Sequence, residues 1–290
     1  MKLTDEYKAR GFIAQKQKGY YVTRIRTRAG NMTSKQIVRV AQLADKYGQG
    51  YVHFTTRQAV EIPGVQETDY EAIMQEIREA DLLPAVCGPR VRTIVACPGL
   101  AYCKFGLLDT VSLAENLDEL FVGLELPAKT KIAISGCPNS CAKPQENDIG
   151  LQGSATVEVQ DGCIGCNACV KTCRVKAITV AQNRPLIDKH ECINCGRCAA
   201  ICPAKAVTVK HVGYNLYIGG KIGRQPRLGT KIITAIPQTH VVLHVEAVIN
   251  VYKQLANKGE RIANMLERID LEYLQTEINK EVTRLKNAIE

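Results

Sequence analysis

Hydrophobic and polar residues alternate along residues 20–27, YYVTRIRT, and predict a strand. The period then changes. Over residues 34–47, SKQIVRVAQLADKY, the apolar positions Ile37, Val40, Ala41, Ala44 and Tyr47 recur at spacings of three and four, as on an amphipathic helix. Thr33 or Ser34 can cap its start, and Gly48 can end it. Residues 51–62, YVHFTTRQAVEI, read as a further strand. Thr68 and Glu71 stand at capping-box spacing and predict a second helix through about Ala80. Residues 90–99, RVRTIVACPG, and 129–137, KTKIAISGC, are predicted strands that each run straight into a cysteine pair. Late in the chain come a glycine-rich loop at 219–229, GGKIGRQPRLG, and a predicted strand at 231–236. Helices punctuated by Gly259 are expected from Thr239 onward. The class this predicts is α+β.

Residues 157–211 break the pattern. Helices shorten there and two similar units follow each other, CIGCNACVKTCRVKAITV and CINCGRCAAICPAKAVTV, offset by about 29 residues. A repeat so short and so rich in cysteine is no solenoid. We expect a half-domain at 1–80, a second domain formed by 81–156 with 212–290, and the repeat inserted in it at 157–211.

At 290 residues the chain can bury a sizeable core without disulfides. Its start, MKLTDEYKARGF, is charged from the second residue and has no apolar run, so no secretory signal is expected. The longest apolar stretch, HVVLHVEAVINVY, is short of a membrane span and carries His and Glu. A soluble, cytoplasmic protein with no membrane partner is the expectation. The formal net charge is +9. No recognition-helix motif or interleaved basic patch accompanies it, so no nucleic-acid partner is expected.

Thirteen cysteines are far more than an ordinary cytosolic enzyme uses. Cys163, Cys166, Cys169 and Cys173 follow the spacing C-x2-C-x2-C-x3-C, and Cys192, Cys195, Cys198 and Cys202 repeat it before Pro203. This is the pattern of bacterial two-cluster ferredoxins, in which the fourth cysteine of each run ligates the other cluster. One cluster is then assigned to Cys163, Cys166, Cys169 and Cys202, and the other to Cys192, Cys195, Cys198 and Cys173. A zinc or disulfide scaffold is the plain alternative. Arg174 departs from the pattern, where proline is usual. Four more cysteines, Cys97, Cys103, Cys137 and Cys141, form a C-x5-C and a C-x3-C pair. Twelve thiolates fill three cubanes and leave Cys87, read as a packed thiol. Each cubane carries about −2 when oxidised, so three absorb roughly six units of the basic excess.

CPGLAYC at 97–103, CPNSC at 137–141 and TTRQ at 55–58, with KTK at 129–131 and GGKIGR at 219–224, resemble the siroheme-dependent sulfite and nitrite reductases. The resemblance covers most of the chain. It implies a sulfite/nitrite reductase half-repeat, built from a ferredoxin-like module and a siroheme and 4Fe-4S module, with a two-cluster ferredoxin insert. It implies a third 4Fe-4S cluster on Cys97, Cys103, Cys137 and Cys141, with Cys141 also reaching the siroheme iron. Arg57, Arg92, Lys129 and Lys131 match the family's substrate-site basic residues. Two residues apart on a predicted strand, Lys129 and Lys131 point to one face. Siroheme carries many carboxylates, and Thr55, Thr56, Arg57, Gln58, Asn139, Gly219, Gly220, Lys221 and Arg224 are its candidate contacts. His53, His190, His211, His240 and His244 have no ligand spacing and read as structural.

The implied reaction is the six-electron reduction of sulfite to sulfide. Nitrite reduction to ammonia uses the same chemistry and stays open, as does a siroheme-binding or electron-transfer subunit without catalysis. No flavin or nicotinamide fingerprint is visible, so the electron donor is expected to be a separate ferredoxin or a flavoprotein or iron–sulfur reductase. The family's larger enzymes pair two similar halves, which implies a homodimer or higher oligomer with shared active sites.

Overall fold

The computed structural model describes residues 3–288. The chain opens with helix α1 (Leu3–Ala9), strands β1 (Phe12–Ala14) and β2 (Tyr20–Arg26), and helix α2 (Ser34–Tyr47). Strands β3 (His53–Phe54) and β4 (Ala59–Gln66), helix α3 (Tyr70–Glu79) and strand β5 (Leu83–Pro84) follow. The strands form an antiparallel sheet in the order β1-β2-β4-β3, with β5 also on β2. Leu43 of α2 and Ile73, Met74 and Ile77 of α3 share a core with Phe12, Ile25 and Ile62 of the sheet.

One of the two expected caps of α2 is used, and two other details differ from the sequence expectation. Thr33, not Ser34, caps α2: its hydroxyl accepts from Gln36 N–H at 3.2 Å, and the Gln36 side chain accepts from Thr33 N–H at 3.0 Å. The buried face of α2 is Val40, Leu43 and Ala44, while Ile37 and Ala41 lie open. Thr68 caps nothing, because Glu67–Asp69 form a 3-10 turn that removes the extended geometry a cap needs.

The largest difference falls on residues 51–62, which form a hairpin rather than one strand. Chain reversal occurs at Thr55–Gln58. There Thr55 N–H donates to Ala59 O at 2.8 Å, and the Thr55 hydroxyl accepts from Arg57 N–H and Ala59 N–H. Gln58 takes a left-handed φ of 52°. Alternation alone does not distinguish a straight strand from one folded back on itself; the Thr55 hydroxyl supplies the turn.

The second sheet contains strands β6 (Val95–Ala96), β7 (Ile132–Ser135) and β8 (Ile149–Val159), with helix α4 (Thr110–Phe121) between β6 and β7. Only Val95–Ala96 of the expected 90–99 strand is regular, although single bridges tie Arg90 to Glu125 and Val91 to Thr130. β6, β7 and β8 run parallel. Parallel neighbours need long crossovers. α4 lies in the first, and residues 136–148 form the second, which carries Cys137 and Cys141.

Between β8 and its antiparallel partner lie helix α5 (Ala168–Thr172), strands β9 (Ile178–Ala181) and β10 (Arg184–Ile187), and helix α6 (Arg197–Ile201). Strand β11 (Val207–Ile218) then pairs with β8 from Val207↔Val159 to Ile218↔Ile149. The repeat therefore sits at the tip of a long hairpin. β12 (Thr230–Ile236) completes the sheet order β12-β11-β8-β7-β6. Helices α7 (Val241–Leu255), α8 (Ile262–Met265) and α9 (Leu271–Asn287) join its core, with Gly259 between α7 and α8 at φ 82°. A small separate core of Cys169, Ile178 and Val207 holds the insert.

Candidate active site

β6 and β7 lie side by side and parallel, so their sequence neighbours gather at two ends. Before the strands stand Arg92, Lys129 and Lys131; after them stand Cys97 and Cys137.

At the basic end, Arg57 is turned inward by the β3–β4 hairpin. Its guanidinium donates to Thr93 O at 2.6 and 3.2 Å, to Ile132 O at 3.1 Å and to Asn147 Oδ1 at 2.8 Å. Burial, joined by the charges of Arg92 and Arg261 and opposed by Asp148, lowers its pKa to about 10. Gln58 ties the same turn to β6, with its amide donating to Ala96 O at 2.7 Å and accepting from Ala96 N–H at 3.0 Å. Thr56 is exposed. Arg92 N–H donates to Thr130 O at 2.9 Å, which places Arg92 beside the two lysines. The Arg92 side chain reaches Gly88 O at 3.2 Å and Val86 O at 3.3 Å. Thr130 is buried, Lys129 exposed and Lys131 half-buried, as an extended alternation requires.

Two residues without a sequence signal complete this end. The Asp148 carboxylate is buried, accepts from Lys131 N–H at 2.9 Å, and meets Arg261 in a two-pronged pair at 2.9 and 2.7 Å. Arg261 comes from the loop before α8, far away in the chain. Burial lowers the Lys131 ammonium below an ordinary lysine, and the charges of Arg57, Arg261 and Lys129 lower it further.

Gly219 and Gly220 are buried beside the same loop. Gly219 N–H donates to Asp148 O at 2.9 Å, and a Cβ on Gly220 would stand 2.5 Å from Asn147 O, so only glycine fits. Lys221 Nζ donates to Asn264 Oδ1 at 2.8 Å. Arg224 is exposed on the following loop. Asn139 is exposed next to Cys137 and lines a different cleft. Of the histidines, His211 Nε2 lies 2.6 Å from Ala235 O and His244 Nδ1 lies 2.8 Å from His240 O.

At the cysteine end, two loops close on each other. Gly136 N–H donates to Cys97 Sγ at 3.2 Å. Cys137-Pro-Asn-Ser-Cys turns sharply, with Ser140 N–H donating to Cys137 O at 3.3 Å and Ser140 at φ 54°. Burial raises the Cys137 thiol, and Cys97, Cys103 and Cys141 add to the rise, so these four sulfurs are electrostatic neighbours. In the insert the same holds for Cys169 with Cys202 and Cys163. Burial, together with Cys195 and Cys192, pushes Cys198 up to about 11. All thirteen cysteines are free thiols. Among the described residues, no three His, Cys, Asp or Glu side chains converge as a single ion requires. A cubane spreads four soft ligands around a body larger than one ion, so sets of four thiols are the donors to compare with it.

A family model described as the nitrite and sulphite reductase 4Fe-4S domain matches residues 87–286, and one described as the nitrite/sulfite reductase ferredoxin-like half domain matches residues 13–80. The chain is 38% identical over 280 residues to the coenzyme F420-dependent sulfite reductase of Methanocaldococcus jannaschii, covering 94% of this chain and 45% of that protein. It therefore spans less than half the length of that relative. It is 31% identical over 265 residues to an uncharacterised protein of the same organism, covering 91% of this chain and 93% of the other. It is 33% identical over 153 residues to the assimilatory-type sulfite reductase of Nitratidesulfovibrio vulgaris, covering 52% of this chain and 68% of that one. Among solved structures, dissimilatory sulfite reductase I has the same fold, with a TM-score of 0.74 at 18% identity over 90% of this chain and 69% of that one. The NirA protein of Mycobacterium tuberculosis has a TM-score of 0.69 at 17% identity over 97% of this chain and 48% of its own.

Proposed function

The chain belongs to the nitrite and sulphite reductase family, and on that premise we propose that it reduces sulfite to sulfide with siroheme and three 4Fe-4S clusters. The observation that carries the reading is the pairing of ends on β6 and β7: a thiol set after the strands and a basic cluster before them. A pure electron carrier has no use for the second.

Cys97, Cys103, Cys137 and Cys141 would hold the cluster next to siroheme, with Cys141 shared between the two. Cys163, Cys166, Cys169 and Cys202 would hold one insert cluster, and Cys192, Cys195, Cys198 and Cys173 the other. When bound, these groups supply the electrons, which no side chain here can do. Thr55, Thr56, Gln58, Asn139, Gly219, Gly220, Lys221 and Arg224 are proposed siroheme contacts.

The chain's own residues handle the substrate and its protons. Sulfite is a small dianion, and Arg92 and Lys129 offer it fixed positive charge. Arg57 has most of its donors committed to Thr93, Ile132 and Asn147, so it contributes charge and holds the hairpin in place. Lys131 is the proton donor. Its backbone is pinned by Asp148, and its lowered pKa makes release of the proton easier. Electrons arrive from a separate protein, a ferredoxin or a flavoprotein or iron–sulfur reductase.

The test is anaerobic purification followed by iron analysis, an optical spectrum and turnover under an artificial reductant. About thirteen irons per chain, tetrapyrrole absorption and sulfide production are expected. Faster turnover of nitrite would move the substrate to nitrite. Turnover of neither would make the chain a carrier, and eight irons without a tetrapyrrole would remove the third cluster.

A further inference from the structure

The two halves of the inserted repeat are not equally placed. The second half lies against the main sheet: Ala155 N–H on β8 donates to Asn194 O at 2.7 Å, and Ala155 bridges Cys195. A Cβ on the next residue, Gly196, would stand 3.0 Å from the Ala155 methyl and 3.9 Å from Leu107. The first half faces outward. Cys166 is exposed, and Ile164 beside it is 65% exposed.

A cleft of about 730 Å³ separates the second half from the Cys137 loop, and Cys173 and Cys195 line it together with Cys137. Phe105, on the loop after Cys103, stands in it. The guanidinium carbons of Arg197 and Arg174 lie 4.9 and 5.5 Å from its ring centroid, and Lys104 Nζ lies 5.1 Å away. These are cation–π distances. Arg174 and Arg197 come from the insert, one from each half, and Phe105 comes from the main domain. Arg174 is also the residue that replaces the usual proline. Proline has no cation to set on a ring, so the contact gives this departure a physical reason.

We infer that Phe105, gripped by Arg174 and Arg197, is a latch that turns the Cys173, Cys192, Cys195 and Cys198 set toward the Cys97–Cys141 set and leaves the Cys163 set as the outward one. The inference rests on the reading that these sets hold clusters. The insert is otherwise joined to the main sheet through the β8–β11 stem and the contacts at Ala155. A second anchor across the cleft fixes the gap between thiol sets, and electron transfer slows steeply as such a gap widens. The Cys163 set is then where a donor protein delivers electrons.

The test uses the anaerobically loaded protein and the variants Phe105→Ala and Arg174→Pro, with Arg174→Lys as the conservative control. Iron content should stay at the wild-type value in all three. Amide hydrogen exchange across residues 163–206 should quicken by about tenfold or more in the first two and less in the control, in keeping with loss of a local anchor. In the reduced protein, magnetic coupling between the third cluster's paramagnetic signal and the insert should weaken in the same order. Replacing Cys198 by Ser should remove that coupling, and replacing Cys166 by Ser should leave it. Unchanged exchange and coupling in Phe105→Ala would overturn the latch. Loss of coupling with Cys166→Ser but not Cys198→Ser would overturn the order. A wild-type iron count short of three clusters would strike the functional reading instead, while the exchange comparison would still decide the latch.

Discussion

Lys131 is held through its peptide N–H, and what holds it is a buried ion pair. Asp148 accepts the Lys131 N–H while Arg261 closes on the carboxylate with two bonds. Removing one partner of a buried pair leaves an uncompensated charge and costs about 3–5 kcal/mol, whereas replacing both by apolar residues is often near neutral. Asp148→Leu should therefore destabilise the protein by about 3–5 kcal/mol in urea unfolding, and Asp148→Leu with Arg261→Met should recover most of the loss. Single-variant losses below about 1 kcal/mol would mean the pair is solvated and pins nothing. At the same end, replacing Lys129 and Lys131 together by Ala should leave the cofactors bound and lower sulfite turnover by at least about a hundredfold, the scale of losing a transition-state charge partner. Unchanged turnover would make both lysines surface charges.

The β8–β11 hairpin is the element on which the organisation turns. Its register continues without the insert, since Val159 pairs with Val207. Within the insert the two runs repeat their backbone with exchanged residues. Gly165 and Asn194 are left-handed at one position (φ 69° and 54°), and Asn167 and Gly196 at the other (56° and 69°). Glycine and asparagine are the residues that tolerate this conformation, so each run bends around its thiols by the same means. Replacing residues 160–206 by an Asn-Gly turn should leave a folded sheet, because that dipeptide suits a two-residue hairpin. Iron should fall from about thirteen to about five per chain, with the tetrapyrrole spectrum kept. Loss of the tetrapyrrole as well would show that the insert also shapes the siroheme site.

At the scale of the whole molecule, one strand carries basic residues at one end and a cysteine pair at the other. Lys131 precedes β7 and Cys137 follows it, and the four strand residues between them alone span roughly 13 Å. The return loop brings Cys141 back only to the level of Ser135, whose hydroxyl accepts from Ala142 N–H at 3.0 Å. Edge strand β3 and the Cys97–Cys103 loop also leave large apolar side chains open, with Phe54 72% and Tyr102 81% exposed. We propose a twofold homodimer in which the basic cluster of one subunit faces the siroheme held by Cys141 of the other, giving two equivalent sites. A mixing experiment tests it. A variant lacking Lys129 and Lys131 and a variant with Cys141 replaced should each be inactive alone, and their mixture should regain activity once subunits exchange. Proven exchange without rescue would mean that each chain builds its own site.

The cysteine spacings, the repeat and the basic motifs are local, and local spacing is what a sequence displays directly. The helix at 34–47 and the strand at 20–27 were legible for the same reason: their periodicity needs no partner. The hairpin at Thr55–Gln58 was not, because a turn capped by one threonine hydroxyl looks like continued alternation. Asp148 and Arg261 were invisible because nothing in a chain marks two charges 113 residues apart as a pair until the fold buries them together. The same is true of Phe105 with Arg174 and Arg197. The sequence by itself determined which residues stand together as thiol sets and basic pairs, since those are written as motifs. Only the tertiary structure decided which ends of the strands they occupy, what pins them, and which half of the insert faces inward, because those depend on contacts between segments distant along the chain.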